Sequence, residues 1–425
     1  MLTFCDQGFW TVLPLRIAQL LPHLRLSPLG VVPQRNRRPR LIVDYTFSDV
    51  NDDTIRLAPA DAMQFGAALR CLLHKVVHAN PSYGPVWLGK IDIADGFYRI
   101  GLQPHDIPRL GVILPASSGE PLVALPLTLP MGWVESPPYF TAATETACDL
   151  LNARLRQWQP LPPHPLESLA NTPTLGVVAT SGTAAPGLAV LHGSAAPHPP
   201  PLAYGDVYVD DFVLAAQTKR HKQRVLRAAL HSIDQVFRPL AASNRPSRKA
   251  PISVKKLRQG DACWATHKTV LGWDFNTIAG TLTLPPHRVA RLYELLDSFP
   301  PTRKRIPITA WQQLLGKLRS MAAALPGSRG LFSTLQAALT SGDRHQVCLT
   351  RKVSETLADF RAIADSLRDC PTRFRDLVPV GAPTAMGACD ACQRGMGGLV
   401  PAKHTSHPLA LRVPSRNTTR HGHQL

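Results

Sequence analysis

The sequence predicts an α+β protein built from several compact parts. Short apolar runs bounded by turn residues, such as Leu41-Ile42-Val43, Ile91-Asp92-Ile93 and AYGDVYVDDFVLAA (203–216), read as buried strands. Longer segments with apolar residues every three or four positions, such as 218–238 and 308–325, read as amphipathic helices. Proline sets a third bound. At 41 of 425 residues, nearly twice the usual share of about 5%, it excludes a smooth helical array and implies Pro-rich connections.

In chain order, Thr11 to Leu24 reads as a short helix. In VVPQRNRRPRLIVDY (31–45), Arg35, Arg37, Arg38 and Arg40 surround a turn ahead of the strand at 41–43. Residues 59–78 read as a helix, and VWLGKIDIADGFYRIGL (86–102) as strand, turn and helix. Within 121–151, a strand and the turn Pro130-Met131-Gly132 precede a helix from Pro137 onward. Proline suits a helix start because its missing N–H is not needed there. Ten prolines between Pro160 and Pro201, separated by Ala, Gly, Ser and Thr, mark 152–203 as a flexible insertion. Two apolar strands around an acidic turn follow at 203–216, then a basic helix at 218–238 and a Pro/Arg-rich loop at 239–251. Residues 269–285 read as a hairpin turning at Ala279-Gly280. Helices are expected at 286–299, 308–325 and 352–369. GACDACQRGMGGLV (387–400) opens a strand-like unit, and the polar, basic last 20 residues read as disordered. No internal repeat is present.

The formal charge is +18, from 47 Lys and Arg against 29 Asp and Glu. Such an excess attracts polyanions, and nucleic acid is the expected partner. Hydrophobic residues at 44% exclude a wholly disordered chain. The eight cysteines are scattered and form no dense framework, which points to a reducing, intracellular setting. One close pair, Cys389-x-x-Cys392, lacks the second pair a zinc site needs. No apolar run is long enough to span a membrane, and no signal-peptide layout opens the chain.

Three acids carry chemistry. Asp92 lies between Ile91 and Ile93, and Asp210-Asp211 follow Tyr208-Val209 between apolar strands. Carboxylates among core-forming residues are costly unless a cation or hydrogen bonds offset them. Successive strand residues face opposite ways, so a tight turn is needed to bring both acids of the pair to one place. Two Mg²⁺ ions would relieve the repulsion, and ions about 3.5–4 Å apart are a standard device for in-line phosphoryl transfer.

The motifs RPRLIVDY, KIDIADGFYRI, LPMGWVESPPYF, YVDDF and VLGWDFN occur in that order. Together, over residues 28 to 345, they resemble the reverse transcriptases, and among them the retrotransposon polymerases. The resemblance implies a right-hand polymerase with an antiparallel palm sheet. Its parts would be an N-terminal segment and fingers at 1–91, palm with template loop at 92–151, the insertion at 152–203, palm and primer grip at 204–285, thumb at 286–345 and a connection at 346–386. A truncated ribonuclease H-like stub and tail would occupy 387–425.

It also implies roles. Asp92, Asp210 and Asp211 would hold the two Mg²⁺ ions. Arg40 would grip the triphosphate with a guanidinium fork, and Arg35, Arg37 or Arg38 would replace a fingers lysine. The turn at Asp95 and Gly96 would face the triphosphate with its N–H groups. Phe97 would be the sugar gate that excludes a 2′-hydroxyl, which favours DNA as product and disfavours an RNA-making polymerase. Met131 and Gly132 would lie against template and nucleotide, and Ser136-Pro137 would begin the helix beneath the template. Lys255 or Lys256 would act as general acid toward pyrophosphate. Leu271, Gly272 and Trp273 would form the primer grip. In the thumb helix (314–327), Leu314, Leu315, Leu318, Met321, Ala322 and Leu325 form one apolar face. Asp390 matches the first metal-binding acid of ribonuclease H, but too few residues follow it to complete that fold, so no such activity is expected. The implied reaction is RNA-directed addition of dNTPs to a primer 3′ end. The alternative is an inactive retroelement-derived fragment that only binds nucleic acid.

Overall fold

The computed structural model describes residues 2–34, 37–56, 67–115, 119–158, 160–170, 200–237, 250–300, 303–322, 329–342, 345–378, 388–392, 395–401 and 406–411, some by backbone alone. The chain divides into two compact units, Met1–Val378 and Pro379–Leu425.

The first unit opens with α1 (Leu2–Asp6), β1 (Trp10–Pro14) and α2 (Leu15–Ala18). The helix expected over Thr11–Leu24 is therefore mostly absent. β-Branched Thr11 and Val12 suit a strand, and Pro14 cannot sit inside a helix. β2 (Leu26–Ser27) follows, then the hairpin of β3 (Leu29–Gln34) and β4 (Arg37–Val43), then α3 (Val50–Asp53) and α4 (Ala67–Val77). The N-terminal part of the helix expected at 59–78 lies outside the described residues.

β5 (Trp87–Asp92) is next, followed by β6 (Gly111–Ile113), β7 (Leu122–Pro126) and the long α5 (Ser136–Arg156). β1, β7, β6 and β2 make one small sheet, in that order. After α5 come α6 (Glu167–Ala170), β8 (Ala203–Tyr208), β9 (Asp211–Ala216), α7 (Lys219–Phe237) and α8 (Val254–Arg258).

β5, β9 and β8 form an antiparallel sheet with β9 in the middle. Its residues alternate between two cores, as the strand period requires. Phe212, Leu214 and Ala216 join Ile91 in a core with Phe140 and Leu151 of α5 and Leu226, Leu230 and Ile233 of α7. Val213, Ala215 and Leu88 face the other way, onto Leu72 and Leu73 of α4 and onto Trp273 and Phe275. Burying each of these large side chains contributes roughly 1.5–3 kcal/mol. The central strand is thus covered on both faces, which holds its ends in register.

Part of the segment 152–203, expected as a flexible insertion, is ordered instead. α5 runs on to Arg156, and residues 160–170 are pinned to α7. Arg227 donates to both carboxylate oxygens of Glu167, at 2.6 and 3.0 Å, and to the Leu161 carbonyl at 3.1 Å. His164 Nε2 lies 3.0 Å from Asp234, and His231 lies 2.9 Å from the Pro162 carbonyl. Residues 171–199 lie outside the described ones.

The C-terminal part of this unit holds β10 (His267–Val270), β11 (Trp273–Asn276) and β12 (Thr281–Thr283), then α9 (Pro286–Asp297), β13 (Arg305–Pro307), α10 (Ile308–Ala322), α11 (Arg329–Thr340), β14 (Gln346–Cys348), α12 (Arg351–Asp369), β15 (Thr372–Arg373) and α13 (Phe374–Leu377). The expected hairpin at 269–285 is a meander with an additional turn at Leu271-Gly272. α9 to α12 pack around Trp311, whose indole N–H donates to the Leu335 carbonyl at 3.2 Å. Leu314, Leu315 and Leu318 are buried there, as the apolar face of 314–327 predicts, while Met321 and Leu325 lie outside the described side chains.

The second unit is a three-stranded antiparallel meander of β16 (Ala388–Cys392), β17 (Gly395–Pro401) and β18 (Ser406–Leu411). Within the last 20 residues, expected as disordered, Ser406–Leu411 pairs with β17.

Candidate active site

The apolar body of β5 ends at Asp92, which is 8% exposed. Asp92 lies directly opposite Asp211 in the β5–β9 ladder, and Ile91 opposite Phe212. Tyr208 pairs with Asp211 around the two-residue turn Val209-Asp210. The Ile93 N–H donates to the Asp210 carbonyl at 3.2 Å, which ties the end of β5 to that turn. The turn answers the parity problem: Asp211 begins a strand, while Asp210 belongs to the turn. Val209 adopts φ 57°, a left-handed conformation that costs a β-branched residue about 1–3 kcal/mol.

The three acids share a half-buried, electronegative corner. Burial pushes Asp92 up to about 6, aided by the charges of Asp210 and Asp211 and opposed by Lys256. Burial and then Asp211 also raise Asp210. Lys256 Nζ stands 2.5 Å from Asp92 Oδ1. Its own burial works against the ammonium, but Asp92, then Asp211 and Asp210, outweigh this and hold Lys256 above its ordinary value.

Local capping aims Lys256 and not Lys255. Ser253 N–H donates to the Asp92 carbonyl at 2.9 Å, and Ser253 Oγ accepts from the Lys256 N–H at 3.5 Å. The short α8 thereby starts beside Asp92. Lys255 is exposed.

Carboxylate oxygens are the hard donors that Mg²⁺ prefers, and a cation would relieve the crowding that raises Asp92 and Asp210. The donor chemistry and the strand register fit such an ion. The side chains as they stand do not close around one point: no set of three His, Cys, Asp or Glu able to enclose a metal occurs among the described residues. Asp92 is engaged by Lys256 instead.

Beyond Asp92, the chain turns sharply at Asp95 (φ 66°) and Gly96 (φ 48°). Arg99, whose side chain is only 5% exposed, fixes this turn. It donates to the Ala94 carbonyl at 2.9 Å, to the Ala250 carbonyl at 2.8 Å and to Asp95 at 3.4 Å. Sequence reasoning passed over Arg99, and an Arg two residues after an Asp-Gly-Phe turn gives no local signal. Phe97 stands edge-on to Phe140, ring centroids 5.1 Å apart.

The loop Met131-Gly132 is held against β4. Gly132 has φ 104°, and a Cβ there would lie 2.6 Å from the Val43 carbonyl oxygen. Asn51, also missed from sequence, bridges the loop. It donates to the Gly132 carbonyl at 3.1 Å and accepts from the Val134 N–H at 2.9 Å. Ser136 is buried and donates to the Pro130 carbonyl at 2.6 Å, and Pro137 follows in the first turn of α5. Adjoining the loop is a cleft of ≈760 Å³ lined by His23, Arg25, Asp53, Arg109, Trp133 and Tyr139.

Leu271 (φ 50°) and Gly272 (φ 77°) form the tight turn between β10 and β11. Arg288 of α9 donates to the Gly272 carbonyl at 2.6 Å and lies 5.8 Å over the Trp273 ring. Arg40 sits on β4 opposite Val32, and Asp390 on β16 opposite Gly397. Both side chains lie outside the described atoms, as do those of Arg35, Arg37 and Arg38. Asp390 belongs to the separate second unit. The site therefore gathers Asp92, Asp210, Asp211 and Lys256, with the Asp95–Phe97 turn just beyond Asp92.

No described protein family matches the chain, and no curated protein does. Solved structures do. A foamy viral protease–reverse transcriptase in complex with double-stranded DNA matches with a TM-score of 0.51 at 14% identity, over 96% of this chain and 63% of that one. A second foamy viral protease–reverse transcriptase structure, designated dRH and also with double-stranded DNA, matches with a TM-score of 0.50 at 15% identity, over 96% and 53%. The chain thus spans between about half and two thirds of these neighbours' length. At such identity the likeness is one of fold. The chain has a reverse-transcriptase-like fold of mixed helices and sheets.

Proposed function

We propose that the chain is an RNA-directed DNA polymerase of retrotransposon type, adding dNTPs to a primer 3′ end. One observation carries this reading: Asp92 stands opposite Asp211 at the strand end where the Val209-Asp210 turn also lies. A catalytic centre for phosphoryl transfer needs acids from distant parts of the chain brought to neighbouring positions, as this strand register does.

In this reading the sheet β5-β9-β8 is the palm, the β3–β4 hairpin belongs to the fingers, and α9 to α11 to the thumb. Asp92, Asp210 and Asp211 would hold two Mg²⁺ ions, which when bound supply Lewis acidity at the attacking 3′-hydroxyl and the leaving pyrophosphate. The backbone of Asp95 and Gly96 would receive the triphosphate, and Arg40 of β4 would be the guanidinium that grips it. The Phe97 ring, braced edge-on by Phe140, forms the floor beneath the sugar. Lys256 donates a proton to the departing pyrophosphate. Met131 and Gly132 meet the templating base, and the cleft beside them takes the template strand. Leu271, Gly272 and Trp273, tied down by Arg288, hold the primer end. The foamy viral neighbours hold double-stranded DNA, which agrees with a duplex product.

A second reading rests on the ion pair of Lys256 with Asp92. If Lys256 is a permanent counter-cation, the chain binds nucleic acid without extending it. Primer extension on an RNA template with dNTPs and Mg²⁺ separates the two. Extension is expected, and Asp92→Asn or Asp210→Asn should reduce it by at least about a hundredfold. Full extension by either variant would end the polymerase reading, while no extension by the parent chain would favour the binder.

A further inference from the structure

The basic helix α7 carries chemistry that the catalytic reading does not use. Arg220, Arg224 and Arg227 recur along one of its faces, and Arg154 from the last turn of α5 joins them around a cleft of ≈240 Å³. Among the described residues only Arg227 meets a carboxylate, that of Glu167. Arg154 donates to Ser232 Oγ at 2.8 Å and to Gln235, and Arg224 to the Arg154 carbonyl at 2.9 Å. These partners are neutral, and Arg224 Nε is buried with no hydrogen-bond acceptor. Burial, with the neighbouring Arg220, holds Arg224 below its ordinary value. Burial, then Arg220 and Arg224, likewise push His221 down. The cleft is electropositive, and Arg154, Arg220 and Arg224 meet no carboxylate among the described residues.

An indole lies in it. The Trp158 ring has Arg224 3.8 Å and Arg220 4.9 Å from its centroid, with the His221 ring at 5.3 Å. Yet Trp158 remains 40% exposed. Its backbone sits at φ 52°, just past the C-cap of α5, a position that Gly or Asn normally takes. Strain of this kind persists where the surroundings over-determine it, often at ligand clamps. The same helix places Lys222 Nζ 3.9 Å over Trp87. The site is remote from the acids. β9 separates Asp211 from the start of α7 by about 20 Å, and the 21 residues of α5 separate Ser136 from Trp158 by about 30 Å.

The geometry points to a second nucleic-acid site here, for a single-stranded segment whose base stacks on Trp158 and whose phosphates meet Arg220, Arg224 and Arg154. An open indole adds nothing to the capture of a bare phosphate, and a duplex hides its base faces. Aromatic rings interleaved with guanidinium groups are suited to unpaired bases.

The test uses the full chain and a 12-mer oligouridylate carrying one 5-iodouridine. Irradiation should crosslink it to the peptide containing Trp158. Trp158→Asn removes the ring while suiting the left-handed backbone, and Arg220→Ala removes a charge that makes no hydrogen bond among the described residues. Each should weaken 12-mer binding by about tenfold, and Arg220→Ala should lower the salt slope by about one. Unchanged thermal midpoints would show both variants folded. No crosslink at Trp158, or unchanged affinity in Trp158→Asn, overturns the site. Equal loss of single-strand and duplex binding in Trp158→Asn overturns the stacking assignment. None of these readouts requires strand synthesis, so failure here leaves the polymerase reading untouched.

Discussion

The Lys256 ammonium stands 2.5 Å from Asp92 Oδ1 and joins positions 164 residues apart. The contact arises because the α8 cap residue, Ser253, is bonded to the main chain of Asp92 itself. A cation delivered this way is fixed relative to the acids and not merely near them.

Lys256→Ala is therefore expected to slow primer extension by about 10²-fold or more, the usual worth of a positioned proton donor. Lys255→Ala, whose side chain is exposed, should change the rate little. Single-turnover extension rates check both. An equal effect of the two substitutions would show that only general basicity matters.

Val209 holds a left-handed φ between Tyr208 and Asp210. Val209→Asn should be more stable by about 1 kcal/mol, read from the denaturant midpoint, because Asn accepts this conformation more readily. A lower midpoint would mean that packing of the valine side chain outweighs the strain.

Gly132→Ala places a Cβ against the Val43 carbonyl at an unsuitable φ. A loss of about 3 kcal/mol is expected in urea unfolding. Asn51→Ala, which removes both bonds across the same loop, should cost about 1–3 kcal/mol.

Phe97→Ala should raise ribonucleotide incorporation relative to deoxynucleotide by about ten- to a hundredfold, the usual range for a steric pocket contact. The ratio of kcat/KM values for rUTP and dTTP measures it. Unchanged selectivity would remove Phe97 from the sugar site.

Glu167 supplies a pH test. Burial works against its charge, but the Arg227 bonds and the His164 N–H outweigh this and hold it below the usual carboxylate value. With the folded value below the unfolded one near 4.3, the stabilisation is fully present above that unfolded value. It is lost as pH falls through the folded value. Glu167→Gln should thus be less stable than the parent at pH 7 and converge with it in strong acid. Parallel stability curves through the acid range would refute the pairing.

Much of this site was legible because its chemistry is local. Apolar strands around Asp210-Asp211 predict a hairpin, and the ladder puts Asp92 opposite Asp211. The amphipathic helices at 218–238 and 352–369 appear almost where their spacing places them. The failures have physical causes. Leu271 gives no turn signal, so the Leu271-Gly272 turn went unread. Thr11–Leu24 has apolar spacing compatible with a helix, but pairing with β7 overrides it. The prolines of 160–170 suggested flexibility, while the bonds that order the segment come from Arg227 and Asp234, far along the chain. The choice between Lys255 and Lys256 depends on a main-chain bond from Ser253 to Asp92, which no sequence pattern announces.

The anchoring of 160–170 on α7 has a practical consequence. Residues 160–170 are held on one side, by the bonds of Arg227, His231 and Asp234, and Ala203 enters the central sheet on the other. Chain closure between fixed ends costs only about 0.6 kcal/mol for each doubling of length. A reporter peptide spliced between Ala170 and Pro200 is therefore expected to leave the β8–β9 hairpin folded and offers a handle for tethering single molecules.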